Sequence, residues 1–353
     1  MQINLHKTYL VVLILLLFEG CMKDNTWVLN QQNKPSLNKG VFIINEGNFM
    51  YGNSSLSFYN TATKKVQNDL FYAVNNLPLG DVAQSMIIYQ NLGYIVINNS
   101  GKIYVVDSSN GKYVGKITGL TSPRYIHIIN NEKAYISDLY AGKITIVNPL
   151  TYQIKGFIRT SGHASTEQMV QSNNLLFVTC WSFDNTILVI DTNTDAIIDS
   201  IKTGKQPGGL VLDKFNKIWT LCDGGWSKAG ASIRTPVLQC VNPLNRTIEK
   251  SFSLTSDAAP SRLAINRTSD TLLFINNGVW KFGVTEPKPV NQPFLKTGNH
   301  LWYSLGADPL STDIYLGDAI DYQQRGVIYR YSSQGAVIDS FKTGIIPGSF
   351  CFK

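Results

Sequence analysis

The chain lacks most of what announces an enzyme or a membrane span. Its 353 residues hold only four histidines and five cysteines. There is no Cys-x-x-Cys or Cys/His spacing of the zinc type, no nucleophile elbow and no Ser/His/Asp grouping, so neither a structural zinc nor a triad hydrolase finds support. Cys180, Cys222, Cys240 and Cys351 each fall inside an apolar strand pattern and read as small buried hydrophobes. His6 precedes the first apolar run, His127 lies in an apolar strand pattern, and His163 and His300 lie in loops. No window beyond about residue 30 has the spacing of an amphipathic helix. No apolar run reaches the roughly 20 residues that cross a bilayer as a helix. The formal charge of +7 comes from Lys and Arg scattered singly along the chain, which argues against nucleic acid as a partner. No metal, no cofactor and no catalytic role is expected.

What is present is β-structure rich in tight turns: 44% hydrophobic residues, 11% aromatic residues, 28 glycines and only 16% charged residues. The N-terminus has the form of a targeting segment. Lys7 precedes an apolar run from Thr8 to Phe18, and Glu19-Gly20-Cys21 follows. A small residue directly before a cysteine resembles a bacterial lipoprotein signal. That resemblance implies removal of residues 1–20, lipidation of Cys21 and a flexible tether over residues 21–39.

An internal repeat then sets the expected fold. Pro123-Arg124-Tyr125-Ile126, Pro207-Gly208-Gly209-Leu210, Pro260-Ser261-Arg262-Leu263 and Pro347-Gly348-Ser349-Phe350 align. Ala83-Gln84-Ser85-Met86, Thr166-Glu167-Gln168-Met169 and Trp302-Tyr303-Ser304-Leu305 share their register without the proline. Between these copies lie a second strand, as in "LGYIVINN", and a third strand that stops at Asp107, Asn148, Asp191 or Asn242 before a polar turn and a fourth strand. Four short strands per period of roughly 40 residues predict an all-β, seven-bladed propeller over residues 40–353. The segment near Val66 to Phe71 is expected to be the fourth strand of the first blade. That blade has no first strand of its own, and "IPGSFCFK" at the C-terminus supplies it, pairing beside Val41 to Asn45 and closing the ring.

In such a ring, the lead-in to each first strand and the loop from second to third strand open on one face. That face is expected to gather Phe49, Tyr51, Tyr140, Trp181, Phe183, Trp226 and Tyr322 on a rim around Gln84, Arg124, Tyr125, Glu167, Gln168, Arg262 and Tyr303. The turns of the opposite face read as small and polar. Large aromatics on exposed loops argue for a binding surface. Asp138, Asp184, Asp223, Asp318 and Asp321 lie on the same loops and read as turn residues.

The third strands "VVDS" and "VIDT" resemble YncE-like propellers. More specifically, "NEGNFMYGNSSLSFYN" (45–60), "LGDVAQSM" (79–86), "GLTSPRYIH" (119–127), "STEQMVQSNNLLFVTCWSFDN" (165–185) and "DAIDYQQRGVIYRYSSQG" (318–335) resemble the BtuG-type surface lipoproteins of Bacteroides. The resemblance implies a lipid-anchored outer-membrane protein, exposed at the cell surface, that captures cobalamin and hands it to a TonB-dependent transporter of the BtuB type. Cobalamin is a broad disc, apolar on its faces and fringed with amides. Tyr51, Tyr140, Trp181, Phe183 and Trp226 would pack on it; Arg124, Gln168, Asp184, Arg262 and Gln323 would supply polar partners. Two other classes stay open: an adhesive or structural surface propeller, or a binder of another ligand; and a propeller lyase or lactonase.

Overall fold

Every strand inside a propeller blade except the outermost is covered on both sides, so its residues need not alternate between oil and water. The second strands show this. Gly40–Asn45 is buried throughout, and Ile218–Cys222 likewise, whereas the outer strand Thr247–Ser253 alternates exposed and half-buried positions. The computed structural model describes residues 37–225, 234–254, 260–289 and 291–353.

They form seven antiparallel four-stranded sheets. Blades 2 to 7 each take four consecutive strands, beginning at Ala83, Pro123, Met169, Pro207, Ser261 and Trp302. Their innermost strands are successive neighbours around the ring. Blade 1 joins the two ends of the chain, with Pro347–Phe352 innermost, followed by Gly40–Asn45, Ser55–Asn60 and Lys65–Gln67.

The predicted closure is present, beside Val41 to Asn45 as expected. Val41 faces Phe352, Phe42 faces Cys351 and Ile43 faces Phe350. Gly40 and Lys353 exchange both backbone hydrogen bonds, at 3.2 and 2.9 Å. A buried polar network ties the outer strand of blade 7 to blade 1. Asn45 Nδ2 donates to Ser57 Oγ at 2.9 Å, Thr343 Oγ1 donates to Asn45 Oδ1 at 2.9 Å, and Gly344 N–H adds a bond to the same oxygen at 3.1 Å. A fully satisfied network of this kind rigidifies a junction that chain connectivity alone leaves open.

The core is accordingly a set of inter-blade layers. Because successive side chains point to opposite faces of a strand, Val41 and Ile43 pack with Tyr315 and Ile328 of blade 7, while Phe42 and Ile44 pack with Ile95 and Ile97 of blade 2. The four cysteines among the described residues are free and buried, as expected.

Two details differ from the sequence reading and one follows it. The segment expected as a strand as far as Phe71 is a strand only over Lys65–Gln67 and then a short helix, α1 (Leu70–Asn75). Leu70 and Phe71 turn inward to fill the layer between blades 1 and 2, which a strand continuing along the sheet edge would leave open. As the prolines that degrade the repeat near Phe282 to Val290 lead one to expect, the outer strand of blade 6 shrinks to Leu295–Lys296, since Pro287, Pro289 and Pro293 cannot donate to a ladder. Phe350 and Phe352 of the closing strand, whose apolar side chains are expected to be buried, pack only partly buried against blade 7, while Cys351 is buried as expected.

Candidate ligand-binding face

The site begins with a defect repeated around the ring. In blades 2, 3, 5, 6 and 7, the inner strand skips a residue against its partner near its start, as between Ala83 and Ser85 or between Pro123 and Ile126. A bulge of this kind bends the strand and re-aims side chains. Ahead of it the backbone takes a left-handed turn. Val82, Gln206 and Ile346, each directly before an inner strand, have φ of 55°, 56° and 53°, and Arg262 inside the blade 6 bulge has 57°. For the β-branched Val82 and Ile346 this is a rare conformation that surrounding structure must enforce. The enforcing contact recurs: Val82 C=O accepts from Asn98 N–H at 2.8 Å, and Ile346 C=O accepts from Glu46 N–H at 2.8 Å. The loop after the second strand thus clips the lead-in to the first.

These bulges bring the charged lead-in residues together at the mouth of the channel. Arg124 Nε lies 2.8 and 3.0 Å from the two carboxylate oxygens of Glu167, and its Nη1 donates to Gln84 Oε1 at 2.5 Å. Arg262 Nε donates to Tyr303 C=O at 2.9 Å and its guanidinium lies over the Tyr303 ring. Glu46 completes the set, 3.6 Å from Arg262 and accepting from Tyr303 Oη at 2.7 Å. Burial opposes the charge on both arginines, yet the facing carboxylates and tyrosines hold both above their ordinary range. The Glu167 carboxyl is pushed up by burial, against the pull of Arg124 and Arg262.

Glu46 was not among the residues expected at the mouth. Its signal lay in a glycine far along the chain: a Cβ at Gly348 would stand 2.3 Å from Glu46 Oε1, so glycine there makes room for the carboxylate.

Around this throat stands the rim. Phe49, Tyr51, Tyr140, Phe183 and Tyr322 are exposed by 63%, 78%, 70%, 75% and 43%, and Met50 by 77%. They come from loops of blades 1, 3, 4 and 7, and several loops are braced by a neighbour. Asn48 Nδ2 donates to Tyr322 C=O at 2.6 Å, Met50 N–H donates to Asp81, and Lys205 Nζ donates to Phe183 C=O. Tyr322 meets the Tyr303 ring edge to face at 5.7 Å.

Trp181 is only half-exposed. Its Nε1–H donates to Asp223 Oδ2 at 3.0 Å across the junction of blades 4 and 5. Burial pushes the Asp223 carboxyl up, and the hydrogen bonds from Trp181 and Gly225 offset part of that. Asp184 receives His163 Nδ1 at 2.6 Å. Burial alone would raise its pKa, but the bonds from His163 and the Asn185 N–H bring the carboxyl below its ordinary range.

Gln168 is committed elsewhere, its Oε1 accepting the Leu210 N–H at 2.9 Å, while Gln323 is exposed. Asp138 and Asp321 are turn residues as read: each accepts the N–H groups two and three positions on. Trp226 lies outside the described residues.

The opposite face is less polar than its sequence suggested. Leu244 is 75% exposed, and Phe215, Leu310 and Leu150 also reach solvent there. These are single side chains on separate turns.

A protein-family profile described as "Domain of unknown function (DUF5074)" matches residues 39–316. No curated protein matches the sequence. Among solved structures, similarity is found to a quinonprotein alcohol dehydrogenase-like protein from Bacteroides thetaiotaomicron, at 15% identity and TM-score 0.70 over 90% of this chain and 79% of that one. A functionally unknown protein from Desulfotomaculum acetoxidans matches at 12% identity and TM-score 0.67, over 89% and 98% of the two chains. The hydrazine synthase of Kuenenia stuttgartiensis matches at 14% identity and TM-score 0.62, over 76% and 89%. At these identities the likeness is one of fold.

Proposed function

The chain belongs to the DUF5074 family, and from that premise we propose that it is a binding protein of the cell surface that captures cobalamin or a related cobamide on the aromatic rim and passes it to a TonB-dependent outer-membrane transporter. One observation carries this reading. Five aromatic side chains from four blades are exposed on a single face around a charged throat, where an isolated aromatic would only cost solubility. A broad, flat ligand is the kind that can touch several blades at once. Its apolar face suits Tyr51, Tyr140, Phe183 and the fixed indole of Trp181; its amide fringe suits the throat and Gln323. Arg262 is the better polar partner of the two arginines, since its side chain is more exposed, 27% against 18%, and its ion pair is longer, 3.6 Å to Glu46 against 2.8 Å from Arg124 to Glu167. In this reading Cys21 carries the lipid anchor, the protein is not an enzyme, and cobalamin is cargo rather than cofactor.

The test is direct. The purified protein is mixed with cyanocobalamin and passed over a gel-filtration column while the corrin absorbance is followed. Co-elution at micromolar concentration is expected, and free elution of all the corrin would sink the proposal. Membrane fractionation checks the anchor: Cys21→Ala should move the protein from the outer-membrane fraction to the soluble one.

A further inference from the structure

We propose that His163, Cys180 and Asp184 form a site for a divalent transition metal of the zinc class. Each residue offers one ligand atom, and these atoms lie within 4.8 Å of one another. Among the described residues this is the one group of three or more His, Cys, Asp and Glu side chains so disposed. The sequence gives no hint of it, because the three come from different places in blade 4. His163 is on the lead-in to the inner strand, Cys180 ends the second strand (Leu175–Cys180), and Asp184 is on the loop that follows.

The donor set selects the ion. A thiolate with an imidazole and a carboxylate suits zinc or its neighbours and is wrong for calcium or magnesium, which take oxygen. Three protein ligands leave a fourth position for water or an incoming group. His163 and Asp184 are partly exposed, so the site opens on the rim face. A tetrahedral ion with bonds of about 2.0–2.3 Å needs ligand atoms about 3.3–3.7 Å apart. The pair His163 Nδ1 and Asp184 Oδ2, at 2.6 Å, would part slightly, while the set as a whole, spread over up to 4.8 Å, would draw in. On binding, the ion takes the place of the proton between Nδ1 and Oδ2, His163 carrying its N–H on Nε2 instead, and the Cys180 thiol releases its proton to solvent.

The molecule contains its own control. His300 on blade 7 makes the same contact with Asp318, Nδ1 to Oδ2 at 2.8 Å, from the corresponding lead-in. There the position that Cys180 holds in blade 4, the last residue of the second strand, is Asp318 itself, and no thiol is present. A histidine–carboxylate clip is therefore enough to fasten a lead-in loop, and blade 4 adds a sulfur to it. The added ligand has a consequence for the rim. Trp181 and Phe183 lie between Cys180 and Asp184, so a bound ion would fasten that short loop at both ends. The metal site stands on its own geometry and does not depend on the identity of the rim's ligand.

The full chain, freed of metal with a chelator, is titrated with Co²⁺ and followed by absorbance; Zn²⁺ affinity is then measured by competition with a chromophoric chelator. The expected result is one equivalent bound, with a thiolate-to-cobalt charge-transfer band in the near ultraviolet. Cys180→Ser should abolish that band, and His163→Ala, at a partly exposed loop position, should weaken Zn²⁺ binding by more than about tenfold with the far-ultraviolet circular dichroism unchanged, since even outer partners of a metal ligand are worth about 10- to 100-fold. His300→Ala should change neither. The absence of saturable binding, binding without the band, or binding that survives both Cys180→Ser and His163→Ala overturns the proposal.

Discussion

The two faces of the propeller are built from the same repeat and held together in different ways. On the face opposite the rim, each bend is set by its own residues, and a neighbouring blade then touches it with single side chains, as Lys133 Nζ does on Thr192 C=O and Arg267 Nη1 on Leu310 C=O. Asp107, Asn148, Asp191 and Asn242 each accept the N–H two residues on, at 2.7 to 3.0 Å, so four or five residues suffice to set each bend. On the rim face the loops lean on one another. Asn48 of blade 1 reaches Tyr322 of blade 7, Trp181 of blade 4 reaches Asp223 of blade 5, and Arg124 of blade 3 reaches Glu167 of blade 4. Self-contained turns leave Leu244 as a solitary exposed residue, whereas jointly held loops can compose a surface that spans several blades. An exposed hydrophobe is thus informative only together with what holds its loop.

The largest effect should come from removing what both faces share. Deleting residues 347–353 takes away a whole inner strand, together with Cys351 and the Phe350 and Phe352 contacts to blade 7. Large-to-small costs of about 3–5 kcal/mol per aromatic suggest a loss of about 5 kcal/mol or more. Thermal unfolding followed by circular dichroism should show a much lower or broadened transition; an unchanged midpoint would mean that the ring does not depend on this closure.

Next comes the contrast between ion pairs. Arg124→Ala leaves Glu167 buried without its main partner and should cost about 3–5 kcal/mol. The exposed pair of Lys217 and Glu249 on the opposite side is worth less than about 1 kcal/mol. Urea denaturation of Arg124→Ala and Lys217→Ala compares the two. Equal losses would erase the distinction, and recovery of stability in Arg124→Ala/Glu167→Gln would confirm that the unpaired carboxylate is the cause.

Binding should separate the faces more selectively. Trp181→Ala is expected to weaken cobalamin binding by about 2 kcal/mol, as central aromatic anchors do, whereas Leu244→Ser on the opposite face should leave it unchanged. Isothermal titration measures both. Equal affinities for the two variants would remove the rim from the binding role.

The smallest effect is electrostatic. On the opposite face, hydrogen bonds from Asn266 and Thr268 hold the Asp270 carboxyl down to about 2. A lowered carboxyl contributes stability above its unfolded pKa of about 3.9 and loses it as the pH falls through the folded value. That turn should therefore keep its structure to lower pH than an unconstrained aspartate would allow. An NMR titration of the Asp270 carboxyl checks it, and a midpoint near 3.9 would contradict the bonding described.

Local rules carried the fold. The repeat, the double-sided apolar strands and the turn residues at Asp107, Asn148 and Asp191 act over a few neighbouring residues, so seven blades and the closing strand were legible in order along the chain. The aromatics destined for the rim were legible too, because topology assigns every loop after a second strand to one face. What the sequence could not show depends on ring curvature and on irregular backbone. The left-handed turns at Val82 and Ile346 oppose those residues' own preferences and exist because a loop of the same blade clips them. α1 forms because a gap between two blades has to be filled, which no local pattern states. Glu46 sits over Gly348, and His163 meets Cys180 and Asp184, only once strands distant in sequence are laid side by side. Periodicity determines which residues face a layer; the packed ring alone decides which polar groups share the few places where the layers open.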